Sequence, residues 1–263
     1  MRKNGFLFVA MLFVALSLGF ASCDNNKGNN PDDPTTGNDS GKENNPTIVP
    51  TCTDYVDLGL SVKWATCNVG ASSPEEFGCY FAWGETTPKT TYDWSTYKFM
   101  DSNINNWNGV NKYTFADYAY SEWEDYDNHN VAWYDSNLNF IGDNKTILDT
   151  EDDAAAVNMG GSWRMPTVEE QTELRTECTW TWTTLNGVNG YNVEGPNGNS
   201  IFLPAAGYRG DSDFYFVGSD GFYWSNSLDT GSSDYAWILY FGFGEVGNFN
   251  ARCCGQSVRG VLR

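Results

Sequence analysis

Apolar and polar residues begin to alternate at Tyr55, and the alternation recurs up to the C-terminus. Residues 55–70, YVDLGLSVKWATCNVG, alternate well enough to predict two short strands around Gly59. Residues 78–85, GCYFAWGE, predict a further strand that is rich in aromatic side chains. The folded part of the chain is therefore expected to begin with β-structure.

The segment LDTEDDAAAVNMGG, residues 148–161, predicts a helix with readable ends. Thr150 is the expected N-cap, and Gly160 can supply a left-handed C-cap. Asp152 and Asp153 would then lie in the first turn, where carboxylates complement the helix dipole. This interpretation favours capping over calcium binding for the acidic residues.

The stretch GGSWRMPTVEE, residues 160–170, predicts a joint between this helix and a second one. Its glycines end the first helix, and SWRM is expected to form a short strand. Thr167 then caps the second helix, with Glu170 completing a T-x-x-E capping box. Trp163 and Arg164 lie close to both helix ends, so we expect them to pack and pair structurally.

The periodicity becomes two after Cys178, which is typical of antiparallel strands. Residues 190–207, GYNVEGPNGNSIFLPAAG, predict a hairpin around Asn197-Gly198, a strong turn signal. GFYWSNS, AWILYFGFG and QSVRGVLR predict further strands, separated by clusters of Gly, Asp and Ser.

Residues 86–148 show little periodicity and read as long loops with embedded aromatic side chains. Loops of this length inside a compact domain are uncommon and are usually functional or disordered. Four Trp residues fall in this region, which argues against disorder.

The N-terminus has the form of an export signal. A basic start, an apolar run over residues 6–18 and small residues directly before Cys23 are typical of a lipoprotein signal. The run is shorter than the roughly 20 residues of a membrane span. We expect a signal peptide over residues 1–22 and acylation of Cys23; the alternative is an ordinary cleaved signal with a coincidental cysteine.

A flexible tether is predicted over residues 23–50. Residues 24–50 contain seven Asn, four Pro and no aromatic residue, and such a segment cannot bury enough apolar surface to fold. Its expected reach is roughly 30 Å. All eleven Trp and all fifteen Tyr follow it, so residues 51–263 are expected to form one domain.

Charge excludes some partners. The chain has 15 basic and 34 acidic residues, a formal net charge of −19. Nucleic-acid affinity depends on cationic contacts with phosphates, so we expect no nucleic-acid partner. We expect the membrane to be contacted through the lipid anchor, at the outer membrane, on its periplasmic face or at the cell surface.

Six cysteines remain once Cys23 is assigned to lipid: Cys52, Cys67, Cys79, Cys178, Cys253 and Cys254. Six cysteines allow 15 disulfide connectivities, and the sequence does not choose among them. Buried free thiols are the alternative for some of the six. No C-x-x-C spacing exists, so a zinc or redox site has no support.

Six blocks in order resemble the Fibrobacter succinogenes major paralogous domain: VDLGLSVKWATCNVGA, GCYFAWGE, GGSWRMPT, IFLPAAGYR, YWSNS and GQSVRGVLR. The resemblance covers about residues 55–263. That domain is common in exported lipoproteins of Bacteroidetes-type bacteria, and it is similar to the fold of formylglycine-generating enzymes. The resemblance implies an α+β, C-type-lectin-like domain with small twisted antiparallel sheets, two helices and long loops.

The chemistry of those relatives does not carry over to this chain. Formylglycine-generating enzymes use two redox cysteines several residues apart, whereas Cys253 and Cys254 are adjacent. The segments EGPN and YWSNS do not preserve the spacing of calcium-dependent lectins. We therefore expect no metal and no cofactor.

Fold alone does not define function. The one histidine, His129, lies in a polar stretch, and no nucleophile with a base is readable, so no enzyme is expected. We expect a non-catalytic module that binds a glycan or a protein partner at the cell envelope. A structural or surface-display lipoprotein and a carboxylate-dependent glycoside hydrolase are the alternatives.

The aromatic loop region supplies the candidate ligand-binding residues: Trp107, Trp123, Trp133 and Tyr134. Exposed aromatic rings stack on sugars and anchor protein interfaces. The alternative is that these rings fill the space beneath the long loops.

Overall fold

The computed structural model describes residues 52–101, 103–104, 106–116, 132–137, 139–242 and 249–263. These residues contain two α-helices, α1 (Ala154–Met159) and α2 (Val168–Glu177). The strands are β1 (Tyr55–Val56), β2 (Lys63–Ala65), β3 (Thr179–Leu185), β4 (Val188–Glu194), β5 (Ser200–Pro204), β6 (Tyr208–Gly210), β7 (Asp213–Tyr215), β8 (Gly221–Leu228), β9 (Tyr235–Phe241), β10 (Phe249–Ala251) and β11 (Val261–Leu262).

The strands form four small antiparallel sheets. Their orders are β1-β2-β11, β10-β9-β8, β3-β4-β5 and β6-β7. Together with the two helices and the long connections, they confirm the predicted α+β class. Neither helix within the described ranges is long and apolar enough to cross a membrane.

The segment of residues 255–257 joins three parts of the domain. Gly255 pairs with Arg209, Gln256 pairs with Phe81, and Ser257 pairs with Tyr223. The strand predicted over residues 78–85 is therefore reduced to a bridge at Phe81, with backbone hydrogen bonds of 3.0 Å in both directions to Gln256. The closing block of the sequence thus runs through the centre of the fold.

Two large apolar clusters form the core. One surrounds Trp83 and Trp224, and the other surrounds Trp64 and Leu174. The indole N–H of Trp83 donates to the Ser225 carbonyl and that of Trp224 to the Phe81 carbonyl, both at 2.8 Å. Because both indole N–H groups have acceptors, the two rings can be fully buried without leaving either N–H unpaired.

The predicted joint over residues 160–170 is confirmed. Thr167 accepts a hydrogen bond from the Glu170 N–H, and the Glu170 carboxylate accepts one from the Thr167 N–H, which makes the capping box of α2. Arg164 donates to both oxygens of Glu170, at 2.7 and 2.5 Å. Trp163 is buried. Only the expected strand SWRM is shorter than predicted, a single bridge from Arg164 to Val261.

The predicted start of α1 is wrong by three residues. Thr150 begins a single 3₁₀ turn (Thr150–Asp152), and Asp153 is the N-cap, with its carboxylate accepting from Ala156 N–H at 2.9 Å. The same carboxylate accepts from Met165 N–H at 2.8 Å. Because Asp153 serves two backbone donors from different segments, tertiary structure selects it over Thr150. Gly160 ends the helix, as predicted, but its φ of 70° and ψ of −169° differ from the expected left-handed helical conformation.

Two arginines are buried and have no carboxylate among their hydrogen-bond partners in the described residues. Arg252 donates to the Tyr97 hydroxyl and to three backbone carbonyls. Arg259 donates to the Asn68 side chain and to the carbonyls of Ala65 and Phe202. Burial lowers the pKa of Arg259 to about 10, so the guanidinium remains charged at neutral pH.

The cysteines divide into bonded and free groups. Cys52 and Cys67 form a disulfide, and Cys79 is also disulfide-bonded. Cys178, Cys253 and Cys254 are free thiols, and Cys253 is buried. The disulfide ties the entry of the domain to the loop after β2.

Candidate binding surface

The residues proposed from sequence do not form an exposed aromatic surface. Trp133 is 4% exposed, so the expectation that it offers its ring to a ligand is wrong. It packs with Val110 in a small cluster that Trp107 and Tyr134 also contact, both partly buried. These three candidates fill the space beneath loops. Trp123, together with Cys23 and His129, lies outside the described residues.

An acidic cluster at Asp149, Glu151 and Asp152 has the spacing of a cation site. Two of its carboxylates are instead paired with lysines. Asp152 accepts from Lys98 and Lys112, each at 2.6 Å, and Asp149 accepts from Lys145 at 2.5 Å. The cluster is therefore neutralised by side chains of the chain itself.

The pKa of Asp152 reflects this pairing. Burial acts to raise it, but hydrogen bonds from Lys112, Lys98 and the Tyr113 hydroxyl outweigh burial and hold it below the ordinary value. Burial and the bond to Asp152 raise the pKa of Tyr113 in turn. This arrangement keeps a buried carboxylate charged. The ion pairs therefore support a structural role for Asp152.

The exposed aromatic surface lies elsewhere, on residues 208–217, which we call the aromatic hairpin. β6 and β7 pair with Tyr208 opposite Tyr215 and Arg209 opposite Phe214. The turn between them places Asp211 at φ 50°, a left-handed conformation that Asp tolerates better than most residues. This tight two-residue connection fixes which side chains share a face.

One face of the aromatic hairpin is a continuous series of rings. Tyr208 and Tyr215 stack with centroids 5.1 Å apart and an interplanar angle of 20°. Phe222 of β8 lies 5.0 Å from Tyr208 and 4.8 Å from Tyr240 of β9. The ring centroids of Phe216 and Phe222 lie 6.3 Å apart. The series anchors the exposed hairpin on the β8–β9 sheet.

Arg209 organises the opposite face. Its guanidinium lies 4.6 Å from the Phe214 ring centroid and 5.1 Å from that of Tyr92. It also donates to the carbonyls of Lys89 and Thr90, at 3.1 and 2.8 Å. Cation–π contacts and charged hydrogen bonds both favour this geometry, so Arg209 fixes the aromatic hairpin to the preceding loop.

Gly207 is required at the base of the aromatic hairpin. It has φ 62°, and a Cβ there would collide with the backbone carbonyl of Tyr215. Only glycine combines this conformation with so close an approach. The direction in which the hairpin leaves the domain therefore depends on this position.

The second half of the aromatic hairpin is apolar and exposed. Four consecutive side chains, Phe214, Tyr215, Phe216 and Val217, are 58%, 39%, 56% and 37% exposed. Large side chains that are exposed singly are ordinary, but four that follow one another in the sequence and are exposed on both faces of one hairpin are unusual, and such exposure is typical of interaction surfaces. Asp211 and Asp213 lie beside these rings in the chain and can accept hydrogen bonds from a ligand.

Sequence reasoning missed this surface although a local signal exists. DFYFV, residues 213–217, carries four large apolar residues between the polar clusters GDSD and GSDG. That run is as consistent with a buried strand as with an exposed one, because periodicity alone does not report exposure.

The fold and this surface define a class: a small α+β domain that presents an exposed aromatic hairpin. No protein-family model, no curated protein and no solved structure matches the chain.

Proposed function

We propose that this protein is a non-catalytic binding module that is exported and lipid-anchored through Cys23, and that it recognises a protein partner at the cell envelope through the aromatic hairpin. The resemblance of its six sequence blocks to the Fibrobacter succinogenes major paralogous domain supports the export and anchoring part. The observation that carries the binding part is the exposure of Phe214, Tyr215, Phe216 and Val217 on a hairpin held by Arg209.

The arrangement of the rings favours a protein over a sugar. A sugar-binding platform presents ring faces side by side to the ligand. Here the only near-parallel pair in the hairpin, Tyr208 and Tyr215, turns those faces towards each other. Phe214, next to the fixed Arg209, and Phe216, beside Phe222, project as apolar side chains, and residues of this kind are suited to the buried centre of a protein interface.

A glycan is the second candidate. The outer face of Tyr215 is partly exposed, and Asp213 lies two residues before it in the same strand. A ring with a neighbouring carboxylate can stack on a sugar and accept its hydroxyl hydrogens. The same surface would then bind a different class of ligand.

Site-specific photo-crosslinking in cells tests the protein-partner proposal. A photoreactive phenylalanine at position 216 is expected to capture one envelope protein reproducibly. The matched control is the same residue at Val157, which is 51% exposed on α1 and lies outside the aromatic hairpin. Equal capture at both positions, or none at position 216, would contradict the proposal.

A glycan array separates the two candidates. The purified chain Asn45–Arg263, which keeps every described residue, is applied with calcium and then with chelator. An array without binding would favour a protein partner over a glycan. Selective binding that is lost in Tyr215→Ala but kept in Val157→Ser would replace the protein partner by a glycan.

A further inference from the structure

Strand β3 (Thr179–Leu185) is an edge strand whose outer side has no partner strand among the described residues. It pairs only with β4 in the sheet β3-β4-β5. Its sequence, TWTWTTL, contains no charge and no proline, and its register with β4 has no bulge. Natural proteins usually protect an edge with one of these features, because an open edge can pair with another chain.

The register shows which backbone groups are open. Asn186 and Gly187 both have positive φ, 48° and 86°, so they form the tight two-residue turn that makes Leu185 and Val188 a hydrogen-bonded pair. Hydrogen-bonded pairs alternate along an antiparallel ladder. Trp180, Trp182 and Thr184 therefore direct their N–H and C=O groups away from β4.

These outward groups have no backbone partner in the part of the chain that the structure describes. Thr181, Trp182, Thr183 and Thr184 are exposed. The opposite edge of the same sheet is different, because β5 is buried over most of its length, ends in Pro204, and has its Phe202 carbonyl occupied by Arg259. Of the two edges of this sheet, only the edge formed by β3 is therefore open.

We propose that β3 is a self-association surface, which pairs antiparallel with β3 of a second copy of this chain to make a six-stranded sheet. The edge is self-complementary. With a two-fold axis at Trp182, this residue pairs with Trp182 of the second copy. Trp180 of each copy then pairs with Thr184 of the other copy. Three hydrogen-bonded pairs supply six backbone hydrogen bonds, and this isologous arrangement closes at two copies.

Charge is compatible with this register although the chain has a net charge of −19. β3 itself is uncharged, and the acidic residue that precedes it, Glu177, would lie opposite Gly187 of the second copy. No two carboxylates of the strand region face each other across the pair.

The pairing is expected to be weak. One seven-residue strand on each side buries less than the roughly 1,200–2,000 Å² of stable interfaces. Dimerisation should therefore depend on concentration, and it should strengthen with ionic strength, because salt screens the repulsion between the copies. Anchoring on one membrane would raise the local concentration of copies.

Sedimentation velocity of the purified protein over a range of concentrations tests the proposal. Thr184→Pro removes one outward N–H and leaves the β3–β4 ladder intact, so dimerisation should weaken at least about tenfold, since two of six hydrogen bonds are lost. The matched control, Thr184→Ala, loses the hydroxyl bond to Asn189 but keeps the N–H, and it should dimerise like the parent. A parent chain that stays monomeric at every concentration overturns the proposal, as does a dimer that survives Thr184→Pro.

Hydrogen exchange gives a readout that needs no variant. The amides of Trp180, Trp182 and Thr184 should become protected as concentration rises, and unchanged exchange there would overturn the proposal even if Thr184→Pro fails to fold. The double variant Phe214→Ser/Phe216→Ser separates the two surfaces of the molecule. It should dimerise normally; loss of the dimer would assign self-association to the aromatic hairpin instead.

Discussion

The Nε of Arg252 donates a 2.9 Å hydrogen bond to the hydroxyl of Tyr97, and that hydroxyl donates to the carbonyl of Trp83 at 2.7 Å. The Arg252 guanidinium also lies 4.7 Å from the Trp83 ring centroid. A permanently charged group is thereby buried among carbonyls and aromatic faces. The core depends on this polar network as well as on apolar contact.

Tyr97→Phe tests the network. The change keeps the ring but leaves Arg252 Nε without its acceptor inside the core, so the free energy of unfolding should fall by about 1–3 kcal/mol. Urea unfolding followed by tryptophan fluorescence measures it. Tyr55→Phe, at a half-exposed ring, should change stability by less than about 0.5 kcal/mol. Equal effects of the two substitutions would show that the hydroxyl of Tyr97 is not needed by Arg252.

Asp152→Asn should change how stability depends on pH. The pKa of Asp152 is held below its ordinary value of 3.8, so its stabilisation is present above about pH 4 and is lost as the pH falls through the folded-state pKa. The variant should lose about 1–3 kcal/mol at pH 7, because its bonds to Lys98 and Lys112 lose their charge. The difference from the parent should shrink at acid pH. A difference that is constant with pH would exclude a carboxylate contribution.

Thr167→Ala should remove the N-cap of α2 and cost about 1 kcal/mol. The reference substitution is Thr172→Ala, also in α2, whose hydroxyl bonds only to the Val168 carbonyl at an exposed position. Thermal unfolding of both variants measures the difference. The capping box would not be important for stability if Thr172→Ala cost as much as Thr167→Ala.

Cys254 should be the first of the three free thiols in the described residues to react with iodoacetamide. A hydrogen bond from Cys253 lowers the pKa of Cys254 despite burial, whereas the bond to Cys254 and burial raise the pKa of Cys253. Burial, with Glu173 and Glu177 nearby, raises the pKa of Cys178. Peptide mass spectrometry after timed alkylation at pH 8 gives the order. Cys253→Ala should slow the alkylation of Cys254. Alkylation of Cys178 before Cys254 would contradict this prediction.

The features predicted correctly from sequence are those whose causes are local. The capping box of Thr167 and Glu170 lies within four residues, and Gly160 ends α1 because few other residues adopt its φ. The Asn197-Gly198 turn does join β4 and β5, with Glu194 opposite Ser200. In each case neighbouring residues carry enough information to fix the backbone.

The features missed depend on residues far apart in the chain. Trp133 is buried because it packs on Val110, more than twenty positions earlier. Asp153 replaces Thr150 as the N-cap because Met165 N–H also needs its carboxylate. The exposure of Phe214 and Phe216 follows from how the aromatic hairpin leaves the β8–β9 sheet at Gly207. Local pattern cannot distinguish an exposed ring from a buried one.

The last residues of the chain complete structures that its first folded residues begin. β11 is the partner of β2, and Arg259 binds the carbonyl of Ala65 and the side chain of Asn68. Residues 252–263 therefore supply both buried arginines and the strand that pairs with β2. A chain that lacks them would leave the carbonyls that these guanidiniums bind unpaired in the core, so the loss would reach both ends of the domain.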